Sequence, residues 1–208
     1  SLPMLSRASE TAQDQNVKLT FAHADMAVME YTEVFDAAYC VGSSFGFFDD
    51  ARNVEVTRRI HKSLKPHGTF LLGVLNRDHT IQHQPGMAWF EGDGCVCMEE
   101  TAFNFITSRL SVKRTMIFDD GRQREIEYSV RLYSLHELGQ ILHEAGFRIL
   151  EVSGNVRTPG AFFGPASREL VILAQKRGTE TVELTSNNPS ADTTAEMPRS
   201  NGSSNGSN

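Results

Sequence analysis

The chain is poor in cysteine, in basic charge and in long apolar runs, and each shortage removes a class of protein. Three cysteines, Cys40, Cys95 and Cys97, are spread over 208 residues. An odd and sparse count reads as reduced thiols in a cytoplasmic protein, not as a disulfide framework. Acidic residues outnumber basic ones, 26 to 20, for a formal charge of −6. A nucleic-acid partner is disfavoured, because phosphate binding needs a basic face. No segment approaches a membrane span of about 20 apolar residues, and no charged-then-apolar leader opens the chain. A membrane partner is therefore not expected. There is no internal repeat. The first residue is Ser1, not Met, which points to something upstream that was removed or never included.

What remains is ordinary globular material: 39% hydrophobic and 22% charged residues, enough for one domain with a sizeable core. Residues 178–208 are the exception. They are dominated by Ser, Thr, Asn, Glu and Pro and end in Asn-Gly-Ser repeats, so a disordered polar tail is expected there. In residues 1–177, Leu2, Leu5 and Ala8 make a short helical stripe. Val17–Ala24 alternates as a strand would and ends on Asp25. Phe35–Val41 is an apolar run of strand length. Asp49 or Asp50 can cap the next helix, with Val54, Ile60 and Leu64 inward, until Pro66 and Gly68 stop it. Thr69–Leu75 is apolar on both faces, as in the middle of a parallel sheet. Alternation of strands and helices predicts a doubly wound α/β fold.

The period then changes. Leu110, Val112, Met116 and Phe118 alternate with polar residues, and so do Ile126, Tyr128, Val130 and Leu132 after Asp119-Asp120-Gly121. That is an antiparallel hairpin with one wet face. Ser134 and Glu137 have capping-box spacing, ahead of the stripe Leu135, Leu138, Ile141 and Leu142 and the stop at Gly146. Phe147–Val152 and Arg168–Gln175 read as two closing strands. Two metal-like patterns are set aside, so no metal site is expected. Cys95-Val96-Cys97 has no second cysteine pair, and Pro85 and Gly86 make a helix carrying both His79 and His83 doubtful.

The order of these elements and their loop residues resembles the class I S-adenosylmethionine-dependent methyltransferases of small-molecule type. The segments that carry the resemblance are AHADM (22–26), VGSSFGFFDD (41–50), KPHGTFLLGVLNRD (65–78) and RLYSLHELGQILHEAGF (131–147), within a similarity running from Ser1 to about Lys176. The resemblance implies a Rossmann-like sheet of order 3-2-1-4-5-7-6 with the seventh strand, Arg168–Gln175, antiparallel. It also implies an incomplete N-terminus. Ser1–Leu5 resembles the residues just after the acid that holds the cofactor's ribose. The first two strands, the glycine-rich turn and that acid are then missing, and the tail does not supply them by circular permutation. Residues 84–133 would be an inserted β-rich lid that selects the substrate.

The same resemblance implies a site at the carboxyl ends of the strands. Asp25 can accept a hydrogen bond from the adenine amine of S-adenosylmethionine, with Met26 against the ring; alternatively, Asp25 only caps the following turn. Val41 and Gly42 would let the backbone approach the cofactor. Ser43, Ser44 and Phe45 would meet the substrate, unless the aromatics only pack. Asn76, Arg77 and Trp89 are further substrate candidates, and His79 can take a proton from the acceptor as a catalytic base. The expected function is methyl transfer to a small molecule by in-line displacement, with a homodimer compatible with it. The alternative is a truncated, non-catalytic relative acting as a binding or regulatory partner, since unpaired sheet edges favour association.

Overall fold

Asp49 accepts the Arg52 N–H at 2.8 Å and so starts helix α2 (Asp50–Ser63), which carries the chain from strand β1 (Phe35–Cys40) to the parallel strand β2 (Leu64–Leu75). The computed structural model describes residues 1–178, so the expected tail lies, from residue 179 on, outside the described residues. The inward face of α2 is Asn53, Val56, Thr57 and Ile60, with Val54 only half-buried. Two of these are polar. They are tolerated because Asn53 Nδ2 donates to the Phe48 carbonyl and to Tyr133 Oη, and Thr57 donates to the Asn53 carbonyl. An apolar-only reading of the stripe misplaces its centre for that reason.

Strand β8 (Glu169–Lys176) runs antiparallel between β2 and β7 (Phe147–Ser153), giving the order β1-β2-β8-β7. This matches the 4-5-7-6 half of the expected sheet, with the seventh strand antiparallel. Phe70, Leu72, Leu170 and Ile172 form the centre of the core, closed by Val56 and Ile60 of α2 and by Leu138 and Leu142 of helix α4 (Leu135–Glu144). Helix α1 (Leu2–Asp14) forms as expected, yet buries only Ala12.

The strand expected at Val17–Ala24 does not form. Its alternation is real, but a strand is defined by a hydrogen-bonded neighbour, and this segment is exposed and unpaired. The outer edge of β1 is likewise unpaired among the described residues. Tyr39 there is 78% exposed.

A second, antiparallel sheet follows: β3 (Gly86–Gly92), β4 (Cys95–Asn104), β5 (Arg109–Phe118) and β6 (Gln123–Arg131), in sequence order. The β5–β6 hairpin turns at Asp119–Gly121 as its sequence predicts. The pair β3–β4 was not legible as strands. The inner face buries Leu110, Val112 and Val130 against Leu75, while the other face meets solvent.

The Ser134–Glu137 capping box is complete: Ser134 Oγ accepts the Glu137 N–H at 3.2 Å, and Glu137 Oε2 accepts the Ser134 N–H at 2.8 Å. Partial burial raises the Glu137 pKa, but the Ser134 N–H and the Arg131 guanidinium outweigh it, and the net shift is downward. Glu137 therefore contributes stability that is present above the unfolded carboxylate value of about 4.3 and is lost as pH falls through its lower folded value. We expect Glu137→Ala to cost about 1 kcal/mol in urea unfolding at pH 7. Titrating wild type and variant to pH 3 should bring their midpoints together; a gap unchanged by acid would contradict this account.

Candidate functional site

The connections that leave β1 and β2 emerge at the carboxyl edge of the first sheet, and the second sheet folds back over that edge. Gly46 makes the closure possible. Its carbonyl accepts the Arg131 N–H at 2.8 Å, and it sits at φ +103, where a Cβ would lie 2.5 Å from the Arg131 oxygen. Arg109 adds bonds to the Phe48 carbonyl at 3.1 Å and to Ser129 Oγ at 3.1 Å. Arg131 bridges Asp50 at 3.1 Å and Glu137 at 2.6 Å. Burial pushes the neighbouring Tyr133 phenol up to about 12, so it remains a donor to Asp50 at 3.2 Å.

Two clefts result. The smaller, of about 620 Å³, is lined by Asp49, Asp50, Arg77, Ser108, Arg109 and Arg131 among others. Its charges are largely matched to one another: Arg77 holds Ser108 Oγ at 3.0 Å and Asp78 at 3.0 Å. The larger, of about 1160 Å³, lies between the end of β2, the β7–β8 connection and the inner face of β3–β4. Leu75, His79, His83, Glu99, Thr101 and Phe163 are among its walls.

Asn76, a substrate candidate, is only 1% exposed and does not line either cleft. Its Nδ2 donates to the carbonyls of Gly164 at 2.9 Å and Ser167 at 2.7 Å, and its Oδ1 caps helix α3 (Arg77–Thr80) through the Asp78 N–H. It holds the cleft together instead of meeting a ligand. Helix α3 continues directly into a 3₁₀ turn at Ile81–His83, so the doubted helix exists; Pro85 lies past its end, where proline does no harm. The turn stacks the His79 and His83 rings, centroids 4.4 Å apart. His79 Nδ1 is 2.9 Å from the Pro165 carbonyl and His83 Nδ1 is 2.8 Å from the His79 carbonyl. A carbonyl can only accept, so both Nδ1 atoms carry hydrogen, and in the neutral ring that leaves the lone pair on Nε2.

The candidates near β1 are arranged differently. Asp25 does cap the turn Met26–Val28, through Oδ1 and the Ala27 N–H at 2.9 Å, while Oδ2 takes Arg52 at 2.7 Å. Its side chain is still 40% exposed, and each oxygen retains a second lone pair. The Arg52 contact brings Asp25 to the first turn of α2, the end at which the 41–49 loop enters. Met26 packs half-buried on the core. Val41 rests against Gly73 of β2, and Gly42, at φ +71, is open to solvent. Ser43 is left-handed at φ +57, and Ser44 Oγ donates to the Val41 carbonyl at 3.2 Å.

Two aromatic expectations fail. Phe45 is 3% exposed and packs on Tyr133, so it is core. Trp89 is 72% exposed on the outer face of the second sheet. Gly86, Met87 and Ala88 at the start of β3 line the cleft, and Trp89 does not. The cleft residues missed by sequence reading are Glu99 and Thr101 of β4, which share the phase of buried Cys97, and Phe163 in the β7–β8 connection. Cys95 and Cys97 sit on one face with sulfurs 3.8 Å apart. Among the described residues no group of three or more His, Cys, Asp or Glu is placed to hold a metal ion. No helix there is long and apolar enough to cross a membrane.

The half-sheet β1-β2-β8-β7, with its antiparallel insertion and a cleft at the carboxyl edge, is the fold of class I, Rossmann-like methyltransferases. An S-adenosylmethionine-dependent methyltransferase from Clostridium acetobutylicum superimposes with a TM-score of 0.74 at 17% identity, covering 86% of this chain and 73% of its own. The CcbJ methyltransferase from Streptomyces caelestis gives 0.71 at 19%, covering 85% and 72%. KedS8, a sugar N-methyltransferase from a Streptoalloteichus species, gives 0.56 at 18%, covering 80% and 66%. Residues 1–68 match the model of the methyltransferase domain family. No curated protein sequence matches the chain. The family match over residues 1–68 and the fold bear out the resemblance to S-adenosylmethionine-dependent methyltransferases.

Asn76→Ala should lower stability by about 3 kcal/mol, since it removes buried bonds and strands two carbonyls. Trp89→Ala should change it by less than about 0.5 kcal/mol. Thermal unfolding of both variants checks the assignment; the reverse order would show that the roles are misassigned.

Proposed function

We propose that this protein moves the methyl group of S-adenosylmethionine to a small-molecule acceptor held in the larger cleft. The observation that carries the reading is the position of that cleft, beyond the carboxyl end of β2 and beneath the second sheet, with His79 in its wall. Ligands of open α/β sheets sit at this edge. Residues 1–177 form the methyltransferase domain in this reading, and 84–133 is its lid.

Asp25 accepts the exocyclic amine of adenine on its free lone pairs, and Met26 flanks the ring. Val41 and Gly42 border the cofactor where the backbone is most open. Ser43 and Ser44, in the loop that leaves β1, would meet the acceptor from outside the two clefts, Arg77 would do so from the wall of the smaller cleft, and Asn76 would support the larger one by tying down the β7–β8 connection. The sulfonium is already activated, so the protein's work is alignment of acceptor, methyl carbon and sulfur in a line, with water kept out. In this reading His79 Nε2 takes the acceptor's proton. KedS8, named as a sugar N-methyltransferase, acts on a small acceptor of the kind that a cleft of about 1160 Å³ accommodates.

The unpaired outer edge of β1 favours a second reading, in which the chain binds another protein and transfers nothing. Calorimetric titration of S-adenosylhomocysteine into the folded chain separates the two. We expect micromolar binding that weakens about tenfold in Asp25→Ala, the loss of one charge-assisted hydrogen bond. A folded chain with no affinity would sink the methyltransferase reading and leave the binding one.

A further inference from the structure

The larger cleft is lopsided in its hydrogen-bond chemistry. His79 and His83 both spend Nδ1–H on backbone carbonyls, so what they offer the cleft is an Nε2 lone pair each. Glu99 is gripped by Arg114 through one oxygen only, Oε2, at 2.6 and 3.0 Å, which leaves Oε1 without a partner among the described residues. Gln84 Oε1 is buried and has no partner either. The hydroxyl hydrogens of Thr80 and Thr101 point away, onto the carbonyls of Asn76 and Gly86. His79, His83 and Glu99 therefore line one cavity with an acceptor atom each to spare, while Gln84, in the same wall, has its Oε1 closed off from solvent. An acceptor that a ligand shields from water and leaves unpaired costs about 1–3 kcal/mol, so a ligand that brings donors is favoured over one that brings acceptors.

We propose that this cleft selects its ligand by donors and takes a small amino polyol, whose ammonium and hydroxyl hydrogens meet His79 Nε2, His83 Nε2 and Glu99 Oε1. The proposal rests on the methyl-transfer reading for the chemistry that follows, with the amine as the acceptor atom. An ammonium has no lone pair, so it first gives one proton to His79 Nε2. The freed amine nitrogen then forms a bond to the methyl carbon. The carbon–sulfur bond breaks with its electron pair remaining on sulfur, and the positive charge passes from sulfonium to the methylated ammonium. The imidazolium returns its proton to water on the side of His83, which is exposed. His83 stacks on His79 and holds that ring in plane, a positioning role as well as a contact. Arg168, exposed and lining the same cleft, is the group that would instead favour a carboxylate.

Glucosamine, glucose and glucuronate share a ring and hydroxyls and differ in charge, so they separate these preferences. Each is titrated into the full chain carrying ¹⁵N-labelled histidine, without cofactor, with the ring nitrogens read by NMR. Both histidines should show a protonated Nδ1 and a bare Nε2, and glucosamine should shift Nε2 saturably and at least about tenfold more tightly than glucuronate. Two variants isolate the atom. His79→Asn keeps a donor for the Pro165 carbonyl but has nothing at Nε2, and should lose about tenfold in glucosamine affinity. His79→Gln places an acceptor near Nε2 and should retain most of it. Equal binding by both variants, equal loss in both, glucuronate binding better, or hydrogen on Nε2 would each overturn the proposal. Failure of S-adenosylhomocysteine to bind would count against methyl transfer alone, since the sugar titrations are read without it.

Discussion

The guanidinium of Arg131 is buried between the first turns of α2 and α4, 3.1 Å from Asp50 and 2.6 Å from Glu137, with its carbon 4.4 Å above the Tyr133 ring. Its backbone N–H closes the end of β6 onto Gly46. A guanidinium cannot shed its proton to escape burial, so it tolerates a side chain only 10% exposed because carboxylates surround it. That requirement fixes several elements at once. The loop after β1 must present Gly46, α2 must begin at Asp50, and α4 must begin with the Ser134–Glu137 box. The second sheet is anchored at the same point, through the last residue of β6.

The larger cleft is a consequence of that anchoring. Because the second sheet is held at β6 and hinges over the end of β2, its first two strands stand away from the first sheet and leave space between. Asn76 defines the other wall by tying the β7–β8 connection to the start of α3. Polar side chains at this edge thus divide into two kinds. Asn76, Arg77, Arg109 and Glu137 spend their hydrogen bonds inside the protein and build the site. His79, His83, Glu99 and Gln84 keep acceptor atoms uncommitted and give it chemical character.

Legibility followed the kind of signal. Helix α4 was readable to the residue because its cap, stripe and stop are all local, and the hairpin β5–β6 because alternation and an Asp-Gly turn coincide. The stripe of α2 was read one step off, since Asn53 and Thr57 occupy core positions that apolar counting ignores. Val17–Ala24 alternates convincingly but has no neighbour to pair with. Strand β4 carries charges on both faces, at Glu99 and Glu100, and β3 has only Glu91 among apolar residues on both faces, so no period-two contrast marks them. Among site residues, His79 could be placed after a central strand, whereas Trp89 was put in the substrate pocket without fixing the phase of its strand. Phe45 went wrong in the same way, since an aromatic beside two glycines looks alike whether it walls a ligand or fills a core.

The sequence by itself determined the period of most main elements, the caps, the succession of β1, β2, β5, β6, β7 and β8 along the chain and the methyltransferase-like character of the loops. These are properties of neighbours within a few residues, and they are written in spacing. The tertiary structure alone decided which acceptors share one cleft. Glu99 and His79 are 20 positions apart, and Asn76 reaches across 91 positions to Ser167. A hydrogen bond depends on distance and direction in space, and only the packing of one sheet over the edge of the other brings those atoms within range.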